Sequence, residues 1–419
     1  MLLNRQKAKG QRLKAKVPGT EASAFGIQPS AFRLLIVDGH AYAYRAFHAI
    51  RGMRAPLRPS PPSEDTRLGE GGGREGGEGD TRLGEPTGAI FGFIKMLAKL
   101  RQKAEGQRLK AEGPANEVLE FSLQPSAFRS GPSALTVVVW DGGLSAERLA
   151  TLPEYKAQRP EMPSDLASQI DGMVSYLQAA GVASVCQDGV EADDLIAGLA
   201  QRGAEAGWDV VIASSDKDFM QLVSEGESKG QSLKAKGSEA EVLASSLQPS
   251  ALPPSAPGRI GLLNPNDKSE SVWGAEQVRN KTGVEPSQIV DWLALVGDSV
   301  DNIPGVPGVG PKTAAELLGQ FGSVEGIYRR LSEVKSERLR GALQNSAEVV
   351  RRNQGLVRLK VDLPYEFSLE DFRARPGDAE RLAELYRRWG FRSLLAEVEG
   401  KGAKAAGSGQ RMLEQVVLI

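Results

Sequence analysis

The sequence predicts an α/β fold, a mostly parallel sheet flanked by helices, and three observations carry that expectation. Short apolar runs alternate with helical patterns over the first two-thirds of the chain, as in βαβ units. Three of the runs, "RLLIVDG", "LTVVVWDG" and "DVVIASSDKD", are continuous apolar stretches of the kind buried on both faces of a parallel sheet. Each stops at an aspartate: Asp38, Asp141, and Asp216 with Asp218. Beyond them the pattern turns all-helical, from "EPSQIVDWLALVGDSVDNIPGVPGVGPKTAAELLGQFG" to "AERLAELYRRWGF".

Residues 1–31 are low in complexity and read as an extension. Residues 32–262 form the expected α/β domain, whose first strand ends at Asp38 and leads into "AYAYRAFHAI". There Arg45 is a phosphate-contact candidate, while His40 and His48 read as incidental. "PTGAIFGFIKMLAKLRQK" puts Phe91, Ile94, Leu97 and Leu100 on one helical stripe. After the second strand, "PSDLASQIDGMVSYLQAAG" offers Ser164 as a cap for a helix facing inward through Leu166, Ile170, Met173, Val174 and Leu177. "GVASVC" makes Cys186 a small core residue. "GVEADDLIAGLA" turns Leu195, Ile196 and Leu199 inward and gathers Glu191, Asp193 and Asp194 at the helix N-terminus, where free N–H groups tolerate some acid. Residues 263–399 form the helical subdomain, with the pair Asp298 and Asp301, and 400–419 a flexible tail.

Three similar stretches interrupt this pattern: "GQRLKAKVPGTEASAFGIQPSAFR" from Gly10, "GQRLKAEGPANEVLEFSLQPSAFR" from Gly106 and "GQSLKAKGSEAEVLASSLQPSAL" from Gly230. "DTRLGE" also occurs twice, around a glycine-rich run. Their unequal spacing argues against a solenoid, whose repeats stack on their neighbours. They read as disordered inserts, at about 55–84, 104–132 and 226–256.

The 419 residues suffice for a sizeable core. One cysteine excludes an intramolecular disulfide framework and fits a reducing compartment, so the cytoplasm is expected. No apolar run spans a membrane, and the charged N-terminus is not a secretory signal. A net charge of −1 balances 52 basic against 53 acidic residues, which does not exclude nucleic acid when a basic rim surrounds an acidic pocket.

Asp38, Asp141, Glu191, Asp193, Asp194, Asp216, Asp218, Asp298 and Asp301 are the candidate metal ligands. Ligands bind beyond the carboxyl ends of strands in open α/β sheets, so strand-end acids from distant sequence converge. So many carboxylates stay ionised together only with cations. All-oxygen donors favour Mg²⁺ or Mn²⁺ over Zn²⁺, and two ions suit in-line displacement at phosphorus, with Asp141 and Asp216 as catalytic ligands. A single structural Ca²⁺ site is the competing reading, but EF-hand spacing is missing. In "GVPGVGPKTAAELLGQFG", Gly305, Gly308 and Gly310 clear the approach of a phosphate to a helix N-terminus, joined by Lys312 and Thr313; a packing hairpin is the alternative. Arg148, Tyr155, Lys156 and Arg159, between the second strand and the Ser164 helix, supply basic groups and a stacking face for nucleic acid.

"LLIVDGHAYAYRAFHA", "PTGAIFGFIKML", "LPEYKAQRPEMP", "GVEADDLIA", "SSDKDFMQLV", "LVGDSVDNIPGVPGVGPKTAAELL" and "WGFRSLLAEV" resemble, in order, the 5′-3′ exonuclease domain of bacterial DNA polymerase I, in the flap endonuclease superfamily. The resemblance implies a PIN-like core, a helical arch and a helix-three-turn-helix DNA-binding motif. It implies Mg²⁺-dependent cleavage of 5′ flaps, nicks and 5′ ends of DNA, with RNA primer ends as further substrates, in replication and repair. The nine acids match the family's metal-site acids, Lys156 and Arg159 match the arch residues that touch the scissile phosphate, and "GVPGVGPK" matches the motif that holds duplex, often with K⁺. The expected form is a standalone nuclease or a truncated product, monomeric and nucleoid-associated, working beside a separate polymerase. The alternative is a catalytically impaired flap- or nick-binding protein.

Overall fold

In a computed structural model of the chain, the described residues are 33–56, 84–111, 135–225, 257–267, 271–364, 368–372 and 375–400. The N-terminal extension, most of each insert and all but the first residue of the tail lie outside them. The five strands β1 (Arg33–Asp38), β2 (Leu135–Val139), β3 (Ala183–Val185), β4 (Asp209–Ala213) and β5 (Ile260–Leu263) form one parallel sheet in the order β3-β2-β1-β4-β5. The chain moves outward from β1 through β2 to β3, then returns to the other side of β1 as β4. A topological switch point therefore opens between β1 and β4, where α/β sheets place their ligands. Register brings the aspartates level: Asp38 lies opposite Val139, two residues before Asp141, and Val37 lies opposite Ala213, three before Asp216.

The helices are α1 (Gly39–Ala49), α2 (Gly88–Ala111), α3 (Ala146–Thr151), α4 (Ser164–Ala179), α5 (Ala192–Glu205), α6 (Ala275–Thr282), α7 (Ile289–Val296), α8 (Pro311–Phe321), α9 (Val324–Arg329), α10 (Glu337–Asn345), α11 (Ala347–Val357) and α12 (Ala379–Trp389). Alternation along the strands divides the core in two. Leu34, Ile36, Val137, Val139, Val210 and Ile212 face α5 and the helices of the C-terminal half. Leu35, Val37, Val138 and Val211 face α1, α2, α4 and α12. Each fully buried Leu or Ile of this kind contributes ~1.5–3 kcal/mol, so the sheet is the stable platform on which the acids stand. Among the described residues no helix is long and apolar enough to cross a membrane.

Across the boundary expected at residue 263 the core is continuous: α7, α8 and α11 share one cluster with the sheet, while Tyr386, Trp389, Phe391 and Leu394 return to the opposite face. Other expectations are corrected. The second insert does not begin at 104, because α2 continues to Ala111. Ser164 is the first residue of α4 and makes no cap; Pro163 precedes it, and its fixed φ suits a helix start. Cys186 is exposed, since β3 is an edge strand whose residues are half-buried and Cys186 lies just past its end. Ile94, Leu97 and Leu100 are buried with Ile90 and Phe93, whereas Phe91 is half-buried against Phe391, ring centroids 5.2 Å apart.

Candidate active site

Four of the acids, Asp38, Asp141, Asp216 and Asp298, are each fixed by a short local motif in which one oxygen takes a nearby backbone N–H. Asp38 caps α1, accepting from Ala41 N at 3.0 Å, and its other oxygen takes the Ser214 hydroxyl at 2.8 Å. Asp141 accepts from Gly143 N at 2.8 Å, Asp216 from Asp218 N at 2.9 Å, and Asp298 from Val300 N at 2.9 Å. These Asx-type turns orient the carboxylates without help from distant sequence. Ser214 and His40, whose Nδ1 accepts from Asp141 N at 3.2 Å, support the site and went unrecognised in the sequence.

Eight of the nine acids come together. Oxygens of Asp218, Asp298 and Asp301 lie within 4.8 Å of one another. Asp38 feels Asp141 and Asp216, and Asp193 feels Asp38, Asp216 and Glu191. Asp194 does not join them: it is buried, with both oxygens on the Arg148 guanidinium at 2.7 and 2.8 Å. Arg148 is equally buried and Tyr155 is 4% exposed, its hydroxyl 3.1 Å from Glu191. Neither presents a surface for nucleic acid, as the sequence had suggested. A basic or aromatic residue beside buried carboxylates is drawn in as their partner.

Lys156 enters the cluster. Its Nζ lies 2.5 Å from Glu191, 3.8 Å from Asp193 and 3.9 Å from Asp301, and its N–H donates to the Asp301 carbonyl at 3.0 Å. Its φ of 56° places a non-glycine residue in the left-handed region, which costs about 1–3 kcal/mol and is held by the surrounding bonds. Arg159 reaches Asp301 at 2.5 Å while staying partly exposed, and Lys217 pairs with Asp298 at 3.1 Å. Arg45 is exposed and donates to Asn266 at 2.6 Å, in the lining of an open cleft with His48 and Ser215.

Burial, with Asp216 and Asp141 adding repulsion, pushes Asp38 up to about 6. Burial and then Asp216 hold Asp193 and Asp218 well above the usual carboxylate range, and burial raises Asp216 as well. Glu191 goes the other way: burial would raise it, but Lys156 and Arg148 outweigh that and lower it. A carboxylate raised in the folded state stabilises the fold below its unfolded value of 3.8, and that stability is lost as pH rises through the folded value, about 6 for Asp38. With chelator present, the melting temperature should therefore rise as pH falls from about 7 to about 5, and Mg²⁺, which favours the ionised acids, should flatten that slope. A melting temperature that falls steadily over this range with chelator would contradict the crowding.

The donor set fits a hard divalent cation. All donors are carboxylate oxygens, and Asp218 Oδ1 is buried with no hydrogen-bond partner. In the helical half, α7 runs through a two-stranded turn (Gly297–Asp298 with Ile303–Pro304) into the glycine-rich loop and α8. Gly308 takes φ 82° and Gly310 stands before Pro311, and a Cβ at either would meet nothing within 4 Å. Gly305 has a different reason: a Cβ there would sit 2.1 Å from the Val296 carbonyl, so it serves close backbone packing. Lys312 is exposed and Thr313 half-buried in the first turn of α8.

A family profile described as 5′-3′ exonuclease, N-terminal resolvase-like domain, matches residues 33–244, and one described as 5′-3′ exonuclease, C-terminal SAM fold, matches residues 284–380. The chain belongs to the 5′-3′ exonuclease family. The enzyme is 32% identical over 366 residues to a 5′-3′ exonuclease of Aquifex aeolicus, across 87% of this chain and 95% of that protein. It is also 32% identical over 386 residues to DNA polymerase I of Pseudomonas aeruginosa, across 90% of this chain but 32% of that protein. It thus spans about a third of the polymerase relatives. Among solved structures, T5 5′-exonuclease with bound divalent zinc matches with a TM-score of 0.48 and 18% identity, over 87% of this chain and 99% of that one.

Proposed function

We propose that this exonuclease hydrolyses DNA phosphodiesters at 5′ flaps, nicks and 5′ ends with Mg²⁺ or Mn²⁺. The observation that carries the reading is the convergence of eight carboxylates beyond the carboxyl ends of a parallel sheet, with one buried carboxylate oxygen left unpartnered. Asp218, Asp298 and Asp301 would hold one ion; Asp38, Asp141, Glu191, Asp193 and Asp216 would hold the other. Divalent ions held by these residues would supply an activated water and stabilise the leaving oxygen.

The chain's own groups then do the rest. Lys156 and Arg159, already among the acids, offset the charge that accumulates on the scissile phosphate. Lys312, Thr313 and the backbone N–H groups at the start of α8, behind Gly308 and Gly310, bind the phosphates of the duplex, and the carbonyls of the same turn suit K⁺. Arg45 contacts phosphate from the cleft beside α1. The enzyme acts as a monomer near nucleoid DNA in the cytoplasm, on ends left by a separate polymerase in replication and repair, RNA primer ends included.

Labelled 5′-flap, nicked and single-stranded DNA, incubated with Mg²⁺ or with chelator, test this reading. Cleavage of flap and nick with Mg²⁺ alone, leaving 5′ phosphates, is expected. Binding of flap DNA without turnover would instead make the chain a DNA-binding protein.

A further inference from the structure

Arg148 sits where three parts of the molecule meet, and all its side-chain nitrogens are engaged. Nη1 and Nη2 grip Asp194 at the start of α5, at 2.8 and 2.7 Å, and Nη1 lies 3.2 Å from Glu191 Oε1. Nε donates to the Leu356 carbonyl at 3.0 Å and Nη2 to the Arg358 carbonyl at 3.1 Å, so the guanidinium closes the C-terminal end of α11. Arg148, Asp194 and Glu191 are 4%, 2% and 1% exposed. The Lys360 N–H adds a bond to Asp194 at 3.0 Å, and its ammonium pairs with Glu147 on α3.

The partners at either end give this junction a direction. One turn before Leu356 on α11, the fully buried Asn353 donates to the Ala294 carbonyl at 3.1 Å and the Pro304 carbonyl at 2.7 Å, which brace the end of α7 and the residue before Gly305. At the other end, Glu191 offers Oε1 to Arg148 and Oε2 to Lys156. A continuous set of buried hydrogen bonds and ion pairs thus runs from the base of the glycine-rich turn, through α11 and Arg148, to Glu191 and Lys156. Arg148 has no N–H left to offer a phosphate, and both Asp194 oxygens already accept from it.

We propose that Arg148 is a positioning residue: held by Asp194, it fixes Glu191 and Lys156 relative to the turn at Gly305–Gly310, so that duplex seated on the turn meets a correctly placed lysine. This rests on the proposed function for the roles of that turn and of Lys156. A guanidinium is needed because a planar fork meets five acceptor oxygens, at the start of α5 and the end of α11, at once, which an ammonium with three donors cannot do. Removing Arg148 alone would strand a buried Asp194, so the informative variant removes both charges.

The test uses the full chain carrying Arg148→Met with Asp194→Leu, and separately Arg148→Lys. Flap-DNA affinity in chelator should stay within about threefold of wild type, while the single-turnover rate with Mg²⁺ falls by about 30-fold or more, because placement and not capture is lost. Lys156→Ala, costly in wild type, should add little in the double variant, since residues acting as one unit are non-additive. Arg148→Lys should keep the charge yet fail to restore the rate. Amide exchange of residues 153–159 should quicken in both variants, a readout that needs no turnover and survives even if wild type proves unable to cleave. An unchanged rate, full additivity with Lys156→Ala, or unchanged exchange in these variants would overturn the proposal.

Discussion

Asp216→Asn should abolish cleavage, a loss of at least roughly 10³-fold, while flap-DNA binding in chelator stays near wild type. The reason is local. One Asp216 oxygen takes the Asp218 N–H, so asparagine, keeping its amide oxygen there, preserves the turn. What is lost is the charge that faces Asp298 and Asp301 across the cluster. Because burial and like charge already raise Asp216, its neutralisation should not destabilise the fold; the melting temperature in chelator should hold or rise. Undiminished turnover of labelled flap by this variant would remove Asp216 from the metal site.

Lys156→Ala should slow cleavage by about 10²–10³-fold, the scale of one lost electrostatic stabiliser at a reacting centre. It should also do something less expected: tighten divalent-metal binding. The ammonium takes oxygens of Glu191, Asp193 and Asp301 that an ion would need, so lysine and metal compete for the same charge. A cation at these separations is worth about a few kcal/mol of attraction at an effective dielectric of 20, and a tenfold rise in affinity is a modest share of that. Calorimetric titration of Mn²⁺ into wild type and variant decides it. Equal or weaker binding by the variant would mean that Lys156 is not a competitor of the ion.

The platform was legible because a parallel strand covered on both faces writes itself as a continuous apolar run, and its alternate residues feed the cores on either side. Leu34 to Val37 do both. The strand-end acids Asp38, Asp141 and Asp216 were legible because they stand within three residues of those runs, and a local turn holds one carboxylate oxygen of each. What failed were readings of exposure. Arg148 and Tyr155 have residue types that read as surface groups, and their burial depends on Asp194 and Glu191, which lie 46 and 36 positions away. Cys186 took its expected burial from apolar neighbours, but those neighbours form an edge strand. The periodicity of α12 shows an apolar face without showing that it packs beside α4, on the side of the sheet away from α7 and α11. Ser214, His40 and Asn353 hold the site through bonds across long sequence separations, and nothing local marks them.

The central claim is that the carboxylates exist to hold cations, and the stoichiometry of Mn²⁺ binding tests it most directly. Wild-type protein should bind two ions per chain at neutral pH, and Asp218→Asn, which alters the group of Asp218, Asp298 and Asp301, should lose one of them. No Mn²⁺ bound by wild type, or two ions retained with unchanged affinity in Asp218→Asn, would contradict the account.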